Sequence, residues 1–131
     1  MTAYRYDGTF AGFLTCAWDA LESRIQPAAF LLPDDEGLLW AERELAADPQ
    51  RAKRFYAALA KRVSPPFQKL IARGFLTCLP EKELALFNLI RRGLWEGDRV
   101  RLDLSDPVMA KVNLALTKMW TEWDHLKGFI R

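Results

Sequence analysis

Apolar residues recur every three or four positions along most of this chain, a spacing that gathers them on one face of an α-helix. The longest such stripe lies near the C-terminus and consists of Val108, Val112, Ala115, Leu116, Met119, Trp123 and Leu126. Ser105, Asp106 and Pro107 precede the stripe and offer a hydroxyl cap, a negative charge and a fixed φ to the first turn. We therefore predict a long helix that begins there and ends at Gly128, after which Phe129-Ile130 enters a strand.

The same spacing predicts four further helices upstream. They run from Phe10 to about Arg24, from Pro49 to about Val63, from Pro65 through Phe75, and from Pro80 to Gly97. Thr9, Asp48 and Ser64 directly precede the first three, where a side-chain oxygen can accept from a backbone N–H of the first turn. The expected core side chains are Phe13, Trp18, Leu59, Ile71, Phe87, Val112, Leu116 and Trp123.

Short segments between the helices have the character of strands. Thr2–Tyr6 alternates in the way a strand with one buried face does, and Ala29–Leu32 is a short apolar run. Leu38–Ala47 is rich in helix formers, but its alternating pattern favours a strand. The fold class is thus predicted to be α+β, a single mostly helical domain of about five helices. Its small sheet is expected to contain Tyr4–Tyr6, Leu38–Leu45 and Phe129-Ile130.

The length and composition suit one hydrophobic core, since half of the 131 residues are hydrophobic. No apolar run approaches the ~20 residues that a bilayer-spanning helix needs, and the first residues do not resemble a secretory signal. We therefore expect a cytoplasmic protein with no membrane partner. Cys16 and Cys78 lie among apolar neighbours in predicted helical stretches, so we expect both thiols to be reduced and buried.

Charge is distributed unevenly along the chain. Met1 to Asp48 contains three basic and nine acidic residues, whereas Pro49 to Arg131 contains sixteen basic and eight acidic ones. In the helix that begins at Pro49, four cations share one arc, namely Arg51, Arg54, Lys61 and Arg62. Such an arc can present cations to a phosphate backbone, and these four are the candidate nucleic-acid-binding residues. The alternatives are a contact with the acidic loop at residues 34–36 and plain solvation.

The residue types that usually carry catalysis or bind cofactors are scarce. One histidine and the lack of paired Cys/His motifs argue against a metal site, and no glycine-rich phosphate loop occurs, so no cofactor is expected. Glu122, Asp124 and His125 are weak catalytic candidates, because carboxylates beside an imidazole can transfer protons. A histidine near a helix C-terminus also has a structural explanation in the helix dipole. We expect no activity of the domain's own.

The chain contains five tryptophans, each of which could lie either in the core or at a surface contact. Trp18 and Trp123 fall on the apolar stripes of their helices and are expected in the core. Trp120 lies off its stripe by roughly 60° at about 100° per residue, and Trp95 is not part of a predicted core face. Trp95 and Trp120 are therefore the candidate partner-binding residues, because exposed aromatic side chains tend to mark interfaces.

Motifs at both ends of the chain resemble a family of DNA-metabolism and DNA-repair proteins of unknown activity. The motifs are Tyr6-Asp7-Gly8-Thr9-Phe10, Leu104-Ser105-Asp106-Pro107, and Glu122 with Lys127-Gly128-Phe129-Ile130-Arg131. After its glutamate the family has histidine and then arginine, where this chain has Asp124 and His125. Members occur beside a radical-SAM protein or are fused to a uracil-DNA glycosylase-like domain, and they extend beyond this segment. The resemblance implies the N-terminal portion of such a domain.

Two functions of different classes follow as expectations, and an enzyme that uses Glu122, Asp124 and His125 is a third hypothesis. The first is a DNA-associated accessory domain that binds nucleic acid, or a radical-SAM or glycosylase-like partner. The second is a protein-interaction or scaffolding module without nucleic-acid binding. Binding that weakens steeply with salt would favour the first, whereas salt-insensitive association with a protein would favour the second.

Overall fold

The computed structural model describes residues 1–37, 40–103 and 105–129, with side chains described as far as residue 121. Its elements in chain order are β1 (Thr2–Arg5), α1 (Phe10–Glu22), β2 (Pro27–Leu31), β3 (Ala41–Glu44), α2 (Pro49–Arg62), α3 (Pro65–Phe75), α4 (Lys82–Glu96), α5 (Arg99–Leu102) and α6 (Pro107–Phe129). Five long helices and a small sheet confirm the predicted α+β class. The four-residue helix α5 is an addition to the prediction.

The three described strands form one parallel sheet in the order β2-β1-β3. Tyr4 in the central strand lies opposite Phe30 on one side and Arg43 on the other. The predicted strand at Leu38–Leu45 is confirmed for Ala41–Glu44. The predicted strand at Phe129-Ile130 is wrong for Phe129, which belongs to α6, while Ile130 lies outside the described residues. The third strand of the sheet is β2, which overlaps the short apolar run at Ala29–Leu32.

Local caps explain where α1, α2 and α3 begin. The side-chain oxygens of Thr9, Asp48 and Ser64 accept from the backbone N–H three residues onward, at 3.0, 3.1 and 3.1 Å. Each of these hydrogen bonds satisfies an N–H group that has no partner within the helix. The prediction of three N-caps is therefore confirmed.

Two of the remaining helix boundaries differ from the prediction, and one agrees with it. Gly97 ends α4 with a φ of 86°, a conformation that glycine adopts without strain. The carboxylate of Asp106 accepts from the Val108 N–H at 2.9 Å, so Asp106 caps α6 in place of Ser105. The predicted end at Gly128 is wrong, because α6 continues through this residue to Phe129.

An aromatic core joins the sheet to the helices. The ring of Phe13 in α1 lies 5.5 Å from the ring of Phe30 in β2 and 5.4 Å from that of Phe75 in α3. Phe30 also contacts Phe87 in α4, with 6.4 Å between ring centroids. These packed rings supply much of the buried apolar area that stabilises the domain.

The predicted core is confirmed at Phe13, Leu59, Ile71, Phe87 and Val112, all of which are buried. Trp18 and Leu116 are only partly buried, because each lies at the margin of its helix's contact with the core. The side chain of Trp123 lies outside the described residues.

The two cysteines differ in environment. Cys16 is buried in α1, and its burial raises the pKa of the thiol to about 12, so this thiol stays protonated. Cys78 is exposed in the connection between α3 and α4, so the prediction that it is buried in a helix is wrong. The apolar residues around Cys78 lie in a loop, and this loop packs against the core through Leu79.

Candidate functional site

The segment from Pro49 to Pro80 carries seven cations and no carboxylate, and the structure distributes these cations over α2 and α3. They are Arg51, Lys53, Arg54, Lys61, Arg62, Lys69 and Arg73. Among the described residues, only Arg51 forms a salt bridge, with 2.8 Å between its Nη2 and Oε2 of Glu22. Its guanidinium also lies 5.3 Å from the ring centroid of Trp18. Arg51 is therefore attached to α1, which distinguishes it from the other six.

The other members of the predicted arc face solvent. Arg54, Lys61 and Arg62, which we call the basic arc, are exposed on α2. At about 100° per residue, Ala57 and Ala58 lie beside or within this arc, so only methyl groups separate its two ends. A negatively charged polymer can approach such a surface closely, because none of these three cations has a carboxylate partner among the described residues.

Arginines elsewhere in the described part of the chain are mostly neutralised. Arg5 forms a salt bridge with Glu42, and Arg43 does so with Asp19, each at 2.8 Å. Arg92 pairs with Glu96 at the same distance. The uncompensated charge of α2 and α3 is thus a local property, and it does not follow from the composition of the chain.

The acidic loop at residues 34–36, which was the alternative partner for the cations of α2, contacts Arg5 in the structure. Nη1 of Arg5 donates to the carbonyl oxygens of Leu32 and Asp35, at 2.7 and 3.0 Å. The backbone N–H of Leu32 donates to Oδ2 of Asp35 at 2.8 Å. The loop is therefore held by β1, and within the described residues the one carboxylate that reaches the cations of α2 belongs to Glu22.

A second set of cations lines a groove of about 620 Å³ between α3 and α6, which we call the α3–α6 groove. Its polar lining consists of Lys69, Arg73, Arg101, Asn113 and Trp120. The guanidinium of Arg73 lies 5.8 Å from the ring centroid of Trp120, whose side chain is nevertheless 47% exposed. Exposure of Trp120 was predicted, but its association with Lys69 and Arg73 was not. The one available signal was the four-residue spacing of Lys69 and Arg73, which places them on one side of α3.

The position of Arg101 in this groove is fixed by hydrogen bonds. Its Nε and Nη2 donate to the carboxylate of Asp98 at 3.1 and 3.0 Å. The hydroxyl of Ser64, which caps α3, donates to the same carboxylate at 2.6 Å. Arg101 and then Ser64 lower the pKa of Asp98, which therefore stays ionised near neutral pH. Asp98 thus connects α5 to the start of α3.

A smaller apolar groove lies on another side of α6, and we call it the apolar groove. It has a volume of about 380 Å³ and is lined by residues 76–80 together with α6 residues that include Leu114. Leu76 and Leu114 are 72% and 71% exposed, and Lys111 and Lys118 also line the groove. Trp95, the other candidate partner-binding residue, is 90% exposed on α4. Its predicted exposure is confirmed, and its contact with a partner stays a prediction.

Two buried tyrosines form hydrogen bonds with carboxylates of neighbouring helices. The hydroxyl of Tyr4 donates to Asp19 at 2.8 Å and that of Tyr6 donates to Glu83 at 2.6 Å. Burial, followed by the hydrogen bond to each carboxylate, raises the pKa of both phenols. The side chains of the catalytic candidates Glu122, Asp124 and His125 lie outside the described residues.

The described residues contain no group of three or more His, Cys, Asp or Glu side chains placed to hold a metal ion. Asp103 accepts instead from the backbone N–H and hydroxyl of Ser105, and Asp106 pairs with Arg92. No helix in the described part of the chain has both the length and the apolar character needed to cross a bilayer.

Comparisons with protein-family models, with curated proteins and with solved structures gave no match to this chain. Assignment of a function therefore depends on the charges, exposure and geometry of the three surfaces described above.

Proposed function

We propose that this domain binds nucleic acid through the basic arc of α2 as an accessory domain in DNA metabolism. The observation that carries the proposal is the solvent-exposed set of Arg54, Lys61 and Arg62, which has no carboxylate partner among the described residues. Exposed cations without a carboxylate partner can replace the counterions condensed on a phosphate backbone, and the release of those counterions drives binding. The free thiols of the described chain suit the cytoplasmic location that the sequence predicts.

The test is a triple substitution, Arg54→Gln, Lys61→Gln and Arg62→Gln, measured by fluorescence anisotropy with labelled duplexes of unrelated sequence. Arg51 is left in place because its contacts with Glu22 and Trp18 belong to the fold. We expect weaker binding to every duplex, together with a slope of log K against log salt that flattens by ~0.9 per lost phosphate contact.

A matched control removes the same charge elsewhere, by Arg24→Gln, Arg91→Gln and Arg99→Gln, all at exposed positions. A general effect of net charge would weaken binding equally in both triple variants. Equal affinities of the two variants would therefore contradict the proposal, as would a failure of the unaltered domain to bind any duplex or single strand at low salt.

A protein-docking function is the second candidate, and the apolar groove favours it. The exposed Leu76 and Leu114 are the kind of side chains that a partner buries, and Lys111 and Lys118 would suit acidic residues on that partner. That the partner is a radical-SAM protein or a glycosylase-like domain stays a prediction from the resemblance. Association with a protein that persists at high salt, in the absence of nucleic-acid binding, would favour this function over the first.

A further inference from the structure

The α3–α6 groove differs chemically from the basic arc, because it combines cations with an aromatic ring. Lys69 and Arg73 come from α3, Arg101 comes from α5, and Trp120 comes from α6. Apolar side chains complete the lining, among them Leu70, Met109 and Leu116. None of the described lining residues is acidic. A ligand that fits this lining carries negative charge beside a flat apolar surface.

The Arg73–Trp120 contact gives the groove its arrangement. The guanidinium is 5.8 Å from the centroid of the indole ring, so it restrains the ring through a cation–π contact and places a positive charge beside it. Trp120 nevertheless keeps about half of its surface exposed. The exposed indole surface is available for stacking, and Arg73 and Lys69 are available for a neighbouring phosphate.

We propose that the α3–α6 groove is a subsite for an unpaired nucleotide, in which the base stacks on Trp120 and the adjoining phosphate contacts Lys69 and Arg73. This inference rests on the proposed function and specifies the substrate class, a nucleic acid with a single-stranded portion. A base within a duplex is already stacked and paired, so its face is not accessible to an indole ring. The side-chain amide of Asn113, which also lines the groove, supplies a donor and an acceptor for a base edge.

The experiment compares Trp120→Ala with Trp40→Ala, because Trp40 is an exposed tryptophan outside the groove. The probes are a labelled oligothymidylate of roughly a dozen nucleotides and the same strand annealed to its complement. We expect Trp120→Ala to bind the single strand about 5- to 150-fold more weakly, which is the range expected for loss of one stacked base. Duplex affinity should not change, and Trp40→Ala should behave like the unaltered domain.

Two further variants guard against a folding defect in Trp120→Ala. Trp120→Phe retains an aromatic face and should keep most of the single-strand affinity. Lys69→Gln changes an exposed side chain and should reduce the salt slope for the single strand by ~0.7, the value for one lost phosphate contact. Thermal unfolding of each variant checks that the fold is retained.

The outcomes separate this inference from the proposed function. If the groove variants bind the single strand as tightly as the unaltered domain does, the nucleotide subsite is excluded, while weaker binding by the basic-arc variant still supports nucleic-acid binding. Equal losses for single strand and duplex in Trp120→Ala would also exclude the subsite. If the unaltered domain binds neither probe, both proposals fail.

Discussion

Single polar atoms in buried positions define how β1 is attached to the helices. The hydroxyl of Tyr6, the residue directly after β1, reaches Glu83 of α4, and the hydroxyl of Tyr4 in β1 reaches Asp19 of α1. Both tyrosine side chains are otherwise buried among apolar groups. A partly buried carboxylate that loses its donor retains its desolvation cost without compensation, so each of these hydrogen bonds matters more than an average one.

Tyr6→Phe tests this argument at one atom. The substitution keeps the ring and removes the donor to Glu83, so we expect the free energy of unfolding to fall by ~1–3 kcal/mol. Urea unfolding monitored by circular dichroism measures the change. Tyr56→Phe is the control, because the Tyr56 hydroxyl has no hydrogen-bond partner among the described residues and its loss should cost less than ~0.5 kcal/mol. Similar losses for the two variants would contradict the role assigned to the Tyr6 hydroxyl.

At the scale of elements, α6 has a firmly packed beginning and two grooves along its sides. Met109 and Val112 are each 1% exposed, and Arg92 of α4 pairs with Asp106, which caps the helix. Beyond this first part, α6 presents Trp120 to the α3–α6 groove and Leu114 to the apolar groove. Because its apolar residues are divided between core and grooves, α6 is anchored at one end and leaves exposed side chains in both grooves.

A pair of substitutions in α6 measures this division. Met109→Ala should lower the free energy of unfolding by ~2–5 kcal/mol, because it removes a buried side chain and leaves a cavity. Leu114→Ala should change it by no more than ~0.5 kcal/mol, since Leu114 is largely exposed. Denaturant unfolding of both variants provides the measurement. A small effect of Met109→Ala would mean that α6 does not share the domain core.

At the scale of the whole molecule, the acidic and basic halves of the sequence do not neutralise each other. Three acidic residues of the first half form described salt bridges, and two of these are with that half's own cations, Arg5–Glu42 and Arg43–Asp19. Among the described salt bridges, Glu22–Arg51 alone joins the two halves. The cations of α2 and α3 other than Arg51 therefore have no carboxylate partner among the described residues, which is the property on which the proposed function depends.

The carboxylates of the domain predict how its stability depends on pH. Hydrogen bonds and ion pairs lower the pKa values of Asp7, Glu42, Glu96, Asp98 and Asp103. The unfolded chain then binds more protons than the folded domain in the acidic range, so stability rises with pH there. The contribution is complete above the ordinary carboxyl pKa of about 4 and is lost as the pH falls through the lowered values. Urea midpoints measured between about pH 7 and pH 2.5 should decrease on acidification, and a constant midpoint would contradict this prediction.

The sequence by itself determined the five long helices, several of their caps and a large part of the core. Thr9, Asp48 and Ser64 were identifiable as caps because a cap and its partner lie three residues apart, and Phe13 and Ile71 were identifiable from helical periodicity. Exposure of Trp120 followed from its angle relative to the stripe. All of these features depend on interactions within a few residues of chain.

Only the tertiary structure decided which distant segments meet. It placed β2 beside β1, attached Arg51 to Glu22 of α1, and carried α6 through Gly128, where a local signal had predicted an end. It also brought Arg73 of α3 to Trp120 of α6, which created the α3–α6 groove. Contacts of this kind depend on how whole elements pack, because residues far apart in the chain share no periodicity or cap that would reveal their proximity.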